Sequence, residues 1–155
     1  MTHGAYGLGV VADQRQARAT GFEPIYAGYF GLQAVVGILL WISFATAPAV
    51  RTFMDILPAA PDVTHAFEIA DIGVIVVASG LAAWAIGART TWATPMAAFA
   101  AGAVVYPTLY LVGWVGLTQT SSGVLSMMLA PATLSCWVAV QVYRSSRSAG
   151  PGRNL

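Results

Sequence analysis

Charged residues are distributed so unevenly in this chain that three long stretches contain none. There are 27 uncharged residues between Glu23 and Arg51, 17 between Asp71 and Arg89, and 54 between Arg89 and Arg144. A bilayer core of ~30 Å is crossed by ~20 helical residues. Apolar residues make up 57% of the chain and charged residues only 8%, whereas soluble domains carry roughly a quarter charged residues. The sequence therefore predicts an integral membrane protein.

The lengths of the uncharged stretches predict four membrane spans. The first stretch holds one span, the last holds two with a turn, and the middle one holds a span if polar residues enter its end. We predict an all-α bundle of four transmembrane helices over residues 25–47, 65–87, 92–117 and 123–143. The hydroxyl and amide side chains of residues 118–122 favour a turn, and Pro48, Pro58 and Pro61 interrupt the first loop. Residues 1–22 are expected to be a cytoplasmic arm, 23–144 the membrane domain, and 145–155 a flexible cytoplasmic tail.

The arginines predict the orientation of the bundle. If the N-terminus is cytoplasmic, the far side holds only Arg51. The cytoplasmic side then holds six arginines, namely Arg15, Arg18, Arg89, Arg144, Arg147 and Arg153. Cytoplasmic loops carry an excess of basic residues. We therefore expect a multi-pass protein of the cell membrane with both termini in the cytoplasm.

Charge and cysteine content exclude several classes of protein. A formal net charge of +1 is too small for a nucleic-acid-binding surface. Cys136 is the only cysteine and the chain has two histidines, so an internal disulfide, a CxxC pair and a zinc finger are all excluded. No cofactor and no metal ion are expected. The expected partners are the lipid bilayer, together with other membrane subunits or a second copy of the chain.

The second predicted span carries the residues that most resemble a functional site. His65, Glu68 and Asp71 follow a spacing of i, i+3 and i+6, which places them within an arc of about 120° on one helix face. A carboxylate in the membrane costs on the order of 2.5 to 3.5 kcal/mol. Asp71 is the deepest of the three and should face the bundle or water. The alternative is an interfacial stripe whose carboxylate pairs with Arg51.

Two tyrosines of the third span extend this candidate site. Tyr106 and Tyr110 are separated by four residues and so share a helix face. They are candidate hydrogen-bond donors to Asp71, to Glu68 or to a ligand, and buried aromatic packing is the alternative. His65 and Asp71 lie ~9 Å apart along a helix, which disfavours a shared metal ion.

Small residues and prolines predict how the helices pack. Small residues four positions apart allow close approach of membrane helices, and they occur in three spans: Ala27-x-x-x-Gly31, Ser79-x-x-x-Ala83-x-x-x-Gly87 and Ala98-x-x-x-Gly102. Pro107 and Pro131 fall at similar predicted depth. They are either simply tolerated in the membrane or kink their helices and open a pocket. Gln33 and Gln141 are candidates for hydrogen bonds between helices.

Three classes of function remain open. A non-catalytic accessory or interaction subunit is favoured because the sequence contains no specific catalytic constellation. A small-ligand or proton-coupled carrier would use Asp71 and Glu68. A lipid-directed enzyme would use His65 or Glu68 as acid or base and Tyr106 as a hydrogen-bond donor. An enzyme should collect polar groups from several helices around one pocket, whereas an accessory subunit needs only a polar stripe that ends at an interface or in a salt bridge.

Overall fold

The computed structural model describes residues 23–54, 69–118 and 123–148, and these ranges contain helices and no β-strand. Helix α1 is Glu23–Thr46 and the short helix α2 is Pro48–Met54. A π-helical segment, Asp71–Val76, leads directly into α3, Val77–Gly87. Helices α4, Ala93–Thr118, and α5, Gly123–Ser148, complete the bundle. The prediction of an all-helical chain is confirmed for these ranges.

Three of the helices are long and apolar enough to cross a membrane. They are α1 with 24 residues and α4 and α5 with 26 residues each, whereas the apolar helix Asp71–Gly87 is shorter. Large apolar side chains point away from the bundle, with Leu32 and Leu109 each 63% exposed and Leu117 87% exposed. Soluble monomers rarely expose large apolar side chains in such number. This pattern is that of a multi-pass membrane protein.

The helices begin and end where the sequence carries breaking signals. Helix α1 ends at Thr46, and Pro48 is the first residue of α2, a position at which the missing N–H of proline costs nothing. Helix α4 ends at Thr118 and α5 begins at Gly123, as predicted. Helix α5 continues to Ser148, so the first four residues of the predicted flexible tail are helical. The hydroxyl of Ser146 donates to the Tyr143 carbonyl at 2.8 Å.

An ion pair and a tight turn fix one end of the bundle, which we call the Arg89 end. The N–H groups of Arg89 and Thr90 donate to the carbonyls of Ile86 and Ala85 at 3.1 and 3.0 Å, which is a Schellman motif. Arg89 has a φ of 52°, a conformation that favours glycine. An arginine occupies this position because its side chain forms an ion pair, with Arg89 Nε 2.6 Å from Glu23 Oε2 at the start of α1.

Small residues bring α1 and α3 into close contact, and we call this contact the small-residue seam. A Cβ atom built on Gly87 would lie 3.9 Å from Ala27, and one built on Gly31 would lie 3.8 Å from Ala83. The seam ends at Gly37, where a Cβ atom would lie only 2.9 Å from Cγ2 of Val76. The spacings predicted for the first two spans are therefore confirmed as a helix contact.

The third predicted spacing does not lie in a contact of this kind. A Cβ atom on Gly102 would meet no atom within 4 Å, and Ala98 is exposed. This face of α4 is open because α4 turns other residues toward the bundle. The buried residues of α4 are Ala97, Ala100, Ala101, Val104, Thr108 and Leu111.

Buried side chains form two separate core clusters. The larger cluster, near the Arg89 end, contains Tyr26, Phe30 and Ile86 among alanines of α3 and α4. The smaller cluster, at the opposite end, contains Trp41, Phe44, Leu111 and Val124. The space from the first cluster to the second is not filled completely, and the candidate site lies there.

Candidate functional site

Asp71 is the first residue of the π-helical segment and is half-buried. Each turn of a π-helix accommodates an extra residue, and such turns occur frequently at functional sites. Within residues 23–54, 69–118 and 123–148, no group forms a hydrogen bond or ion pair with the Asp71 carboxylate. The guanidinium of Arg51 instead lies over the Phe44 ring at 5.3 Å. The alternative of a stripe anchored by an Asp71–Arg51 pair is therefore not what the structure shows.

A cavity of about 340 Å³ lies between α1, the π-helical segment and α5, and we call it the front cleft. Its walls are mostly apolar, with Trp41, Met127 and Met128 among the larger side chains. Three of its lining residues carry polar side chains: Tyr29, Gln33 and Asp71. An apolar cavity with a few polar groups from different helices is the usual form of a small-molecule site.

A network of hydrogen bonds lies behind the polar wall of the front cleft. The Gln33 amide donates from Nε2 to Ser79 Oγ at 3.1 Å, and its Oε1 accepts from Ser135 Oγ at 2.9 Å. The Tyr29 hydroxyl donates to the Pro131 carbonyl at 3.0 Å and lies 2.9 Å from Ser135 Oγ. Both serines are 0% exposed. The network thus joins α1, α3 and α5 in the interior of the bundle.

The hydroxyl groups of Tyr29 and Ser135 form more contacts than they have protons to donate. Tyr29 and Ser135 supply one hydroxyl proton each, whereas three contacts involve these hydroxyls. The arrangement that satisfies all three has Ser135 donating to Gln33 while the Tyr29 proton is shared between the Pro131 carbonyl and Ser135. The second amide proton of Gln33 forms no hydrogen bond with a described residue and is available to a ligand in the front cleft.

A second cavity, of about 510 Å³, lies on the other side of Asp71, between the π-helical segment and α4. We call it the back cleft. Its α4 wall is formed by small residues, including Ala98, Gly102 and Ala103, together with the larger Phe99 and Tyr106. Asp71 lines both clefts. Asp71, like Ile75, is therefore shared by the walls of the two cavities.

The structure brings together some of the residues predicted for the site. Tyr106 lines the back cleft with Asp71, although its side chain is 77% exposed. Tyr110 lines neither cleft, and its ring stacks on Trp114 with a centroid distance of 6.5 Å. His65 and Glu68 lie outside the described residues, so their predicted place on the face of Asp71 remains a prediction.

Each of the two helix prolines borders one cleft. Pro107 lines the back cleft and Pro131 lines the front cleft. The two prolines thus line different cavities and not one shared pocket, and their similar depth stays a prediction. Pro131 also contributes chemically, because its carbonyl accepts the hydrogen bond from Tyr29.

Several polar residues of the site were not singled out by the sequence. Gln33 was expected to form hydrogen bonds between helices, and this is confirmed. Its partners Ser79 and Ser135, and the neighbouring Tyr29, were missed as members of a site. The sequence feature that could have indicated the site is the spacing of Tyr29 and Gln33, which are four residues apart and so share one face of α1.

The described residues contain no group of three His, Cys, Asp or Glu side chains that could hold a metal ion. The polar groups that line the two clefts are one carboxylate, one side-chain amide and two tyrosine hydroxyls, and the other lining residues are mostly apolar. Such a set can bind a cation or a hydrogen-bond donor at Asp71 and a hydrogen-bond acceptor at Gln33.

Comparison with known proteins gives no relative from which a function could be transferred. The chain matches no protein-family model, no curated protein and no solved structure. The function is therefore inferred from the geometry of the two clefts.

Proposed function

We propose that this chain is a small-ligand-binding protein of the membrane, whose front cleft binds an organic cation with an apolar body. The observation that carries the proposal is that Asp71, with no partner of its own among the described residues, lines an apolar cavity together with Tyr29 and Gln33. The sequence analysis considered a small-ligand or proton-coupled carrier that uses Asp71 and Glu68, and the present proposal retains Asp71 as the ligand-binding residue.

Electrostatics supports a cation as the ligand. A carboxylate in low-dielectric surroundings is costly unless a positive charge compensates it. Among the described residues, Arg89 pairs with Glu23 and Arg51 lies over Phe44, so neither compensates Asp71. A bound cation would supply the missing charge.

The size and lining of the front cleft support an apolar body for the ligand. The volume of about 340 Å³ is at the lower end of the range of small-molecule sites, roughly 300 to 1,000 Å³. Trp41 lines the cleft, and its ring can contact the cationic group, because quaternary ammonium groups bind well over tryptophan. A single aromatic ring or a short alkyl chain with an ammonium group fits these features.

The proposal is tested with two ligands of the same shape. Phenyltrimethylammonium carries a positive charge, and tert-butylbenzene is its neutral counterpart, with carbon in place of nitrogen. We expect the purified protein in neutral detergent to bind the cation more tightly. Asp71→Asn should weaken cation binding by at least about tenfold, or ~1.4 kcal/mol, and leave binding of the neutral ligand unchanged, as measured by isothermal titration calorimetry.

The matched control is Glu23→Gln, which removes a carboxylate of the same chain that lies outside both clefts. This variant should bind both ligands like the wild type. Equal affinities for the two ligands, or an Asp71→Asn protein that binds the cation like the wild type, would contradict the proposal and leave the accessory-subunit role.

An accessory or interaction subunit is the second candidate function. It is supported by the open face of α4, where Ala98 is exposed and Gly102 has free space above it. Small residues on a lipid-facing helix allow another helix to approach closely. Co-purification from native membranes, with identification of the bound subunits, tests this role.

The proposed topology has four spans, with Asp71–Gly87 extended by preceding residues and both termini in the cytoplasm. It is supported by one cavity at the Arg89 end, where the starts of α1 and α4 meet the ends of α3 and α5, and by the arginines at that end of the sequence pattern. Reporter proteins fused after Ser148 and inserted within residues 58–62 should report the cytoplasm and the outside, respectively. If both reporters were found on the same side of the membrane, the four-span topology would be wrong.

A further inference from the structure

We infer that the back cleft is the route by which a lipid-dissolved organic cation reaches Asp71 from the bilayer. The nature of the ligand rests on the proposed function, whereas the route rests on the geometry around Asp71. The two clefts lie on opposite sides of this residue and both include it in their walls. A ligand in the back cleft therefore lies beside Asp71, in a wall that the two clefts share.

The shape of the back cleft supports this route. Its volume of about 510 Å³ exceeds the 340 Å³ of the front cleft. Its α4 wall contains Ala98, Gly102 and Ala103, which have almost no side chain to displace. The wall of the front cleft is built from larger branched side chains, among them Leu32 and Val36. Apart from Phe99, Tyr106 and Pro107, the α4 side of the back cleft thus has little side chain for an entering molecule to displace.

The chemistry of the back cleft selects cations. The Tyr106 side chain borders it and is 77% exposed, so its ring faces the surroundings of the bundle. An aromatic ring attracts a cation through the negative potential of its face, and Asp71, which is more buried than Tyr106, is the acidic residue in the wall of this cleft. The order from lipid is thus Tyr106, then Asp71, then the polar wall of the front cleft.

Access to Asp71 can be measured without the cation. Dicyclohexylcarbodiimide is neutral and membrane-soluble, and a carboxylic acid adds across one of its C=N bonds, so that the adduct keeps all atoms of both molecules. With the protein in phosphatidylcholine vesicles, we expect labelling of Asp71, identified by peptide mass spectrometry and absent from Asp71→Asn. Gly102→Leu should lower the labelling rate by about tenfold, which corresponds to ~1.4 kcal/mol in the barrier.

Three variants make this measurement specific. Ala98→Leu narrows the same cleft at an exposed position and should slow labelling as well, which guards against a local folding defect at Gly102. Gly113→Leu changes a glycine of α4 that also has free space above it but lines neither cleft, and should label like the wild type. Val36→Trp narrows the front cleft and should also leave the rate unchanged.

Two results would overturn the inferred route. One is the absence of Asp71 labelling in the wild type. The other is slow labelling of Val36→Trp together with a normal rate for Gly102→Leu, which would assign access to the front cleft. Failure of the proposed function is a separate result, because it is measured as unchanged cation affinity of Asp71→Asn whatever the labelling rates are.

Discussion

Gly37→Leu should destabilise the bundle by about 3 kcal/mol or more, because overpacking a tight helix contact typically costs 1 to 3 kcal/mol and occasionally more. Even a Cβ atom at this position would lie 2.9 Å from Cγ2 of Val76. Val76 is buried and β-branched, so its side chain has little freedom to turn away. The free energy of unfolding, measured by titration with dodecyl sulfate in mixed micelles, gives the effect.

Gly28→Leu is the matched control, since it places the same side chain on the same helix where a Cβ atom meets nothing within 4 Å. Its stability should equal or exceed that of the wild type, because leucine favours a helix more than glycine does. A second check uses Gly37→Ala, whose cost should be smaller in the Val76→Ala background, where Cγ2 is missing. Similar stabilities for Gly37→Leu and Gly28→Leu would show that the seam does not extend to Gly37.

Gln33→Leu should lower the free energy of unfolding by about 2 kcal/mol, because a buried hydrogen-bonding group that loses its partner costs roughly 1 to 3 kcal/mol. The substitution removes the acceptor of Ser135 and the donor to Ser79. Both serines are 0% exposed, so their hydroxyls have no contact with solvent that could compensate for the loss. The same titration in mixed micelles measures the loss.

The triple variant Gln33→Leu, Ser79→Ala, Ser135→Ala separates this cause from a change of shape. Removing all partners of a buried hydrogen bond can be nearly neutral, and Tyr29 retains the Pro131 carbonyl as its acceptor. The triple variant should therefore be more stable than Gln33→Leu alone. If it were less stable, the loss in Gln33→Leu would come from packing and not from unsatisfied hydroxyls.

The helices of this chain were predictable because charge and hydropathy alone determine which segments can lie in lipid. The breaks at Pro48 and at residues 119–122 carry local signals in the residues themselves. The contact between α1 and α3 was also predictable, since glycine and alanine at Gly31 and Ala83 permit an approach that larger residues forbid. Each of these features depends on the sequence of one helix or on the size of the residues in contact, and both can be seen in the sequence.

The site was less predictable because it depends on the rotation of each helix. The α-helical rotation of ~100° per residue does not apply from Asp71 to Ser79, because residues Asp71–Val76 form a π-helix. The extra residue in that turn changes the direction of Asp71 relative to Ser79. Serines and alanines occur on every face of these helices, so no local signal distinguishes Ser79 and Ser135 from exposed hydroxyls such as Ser43.

The small-residue seam also has a mechanical consequence. Its closest approaches lie at Gly87, Gly31 and Gly37, and Gly37 also lines the front cleft together with Tyr29 and Gln33 of the same helix. The wall that α1 contributes to the front cleft is therefore held at a distance from its neighbouring helix that the glycines set. A change in bilayer thickness, which membrane helices accommodate by tilting, should accordingly tilt α1 and α3 together and leave this wall of the cleft in place.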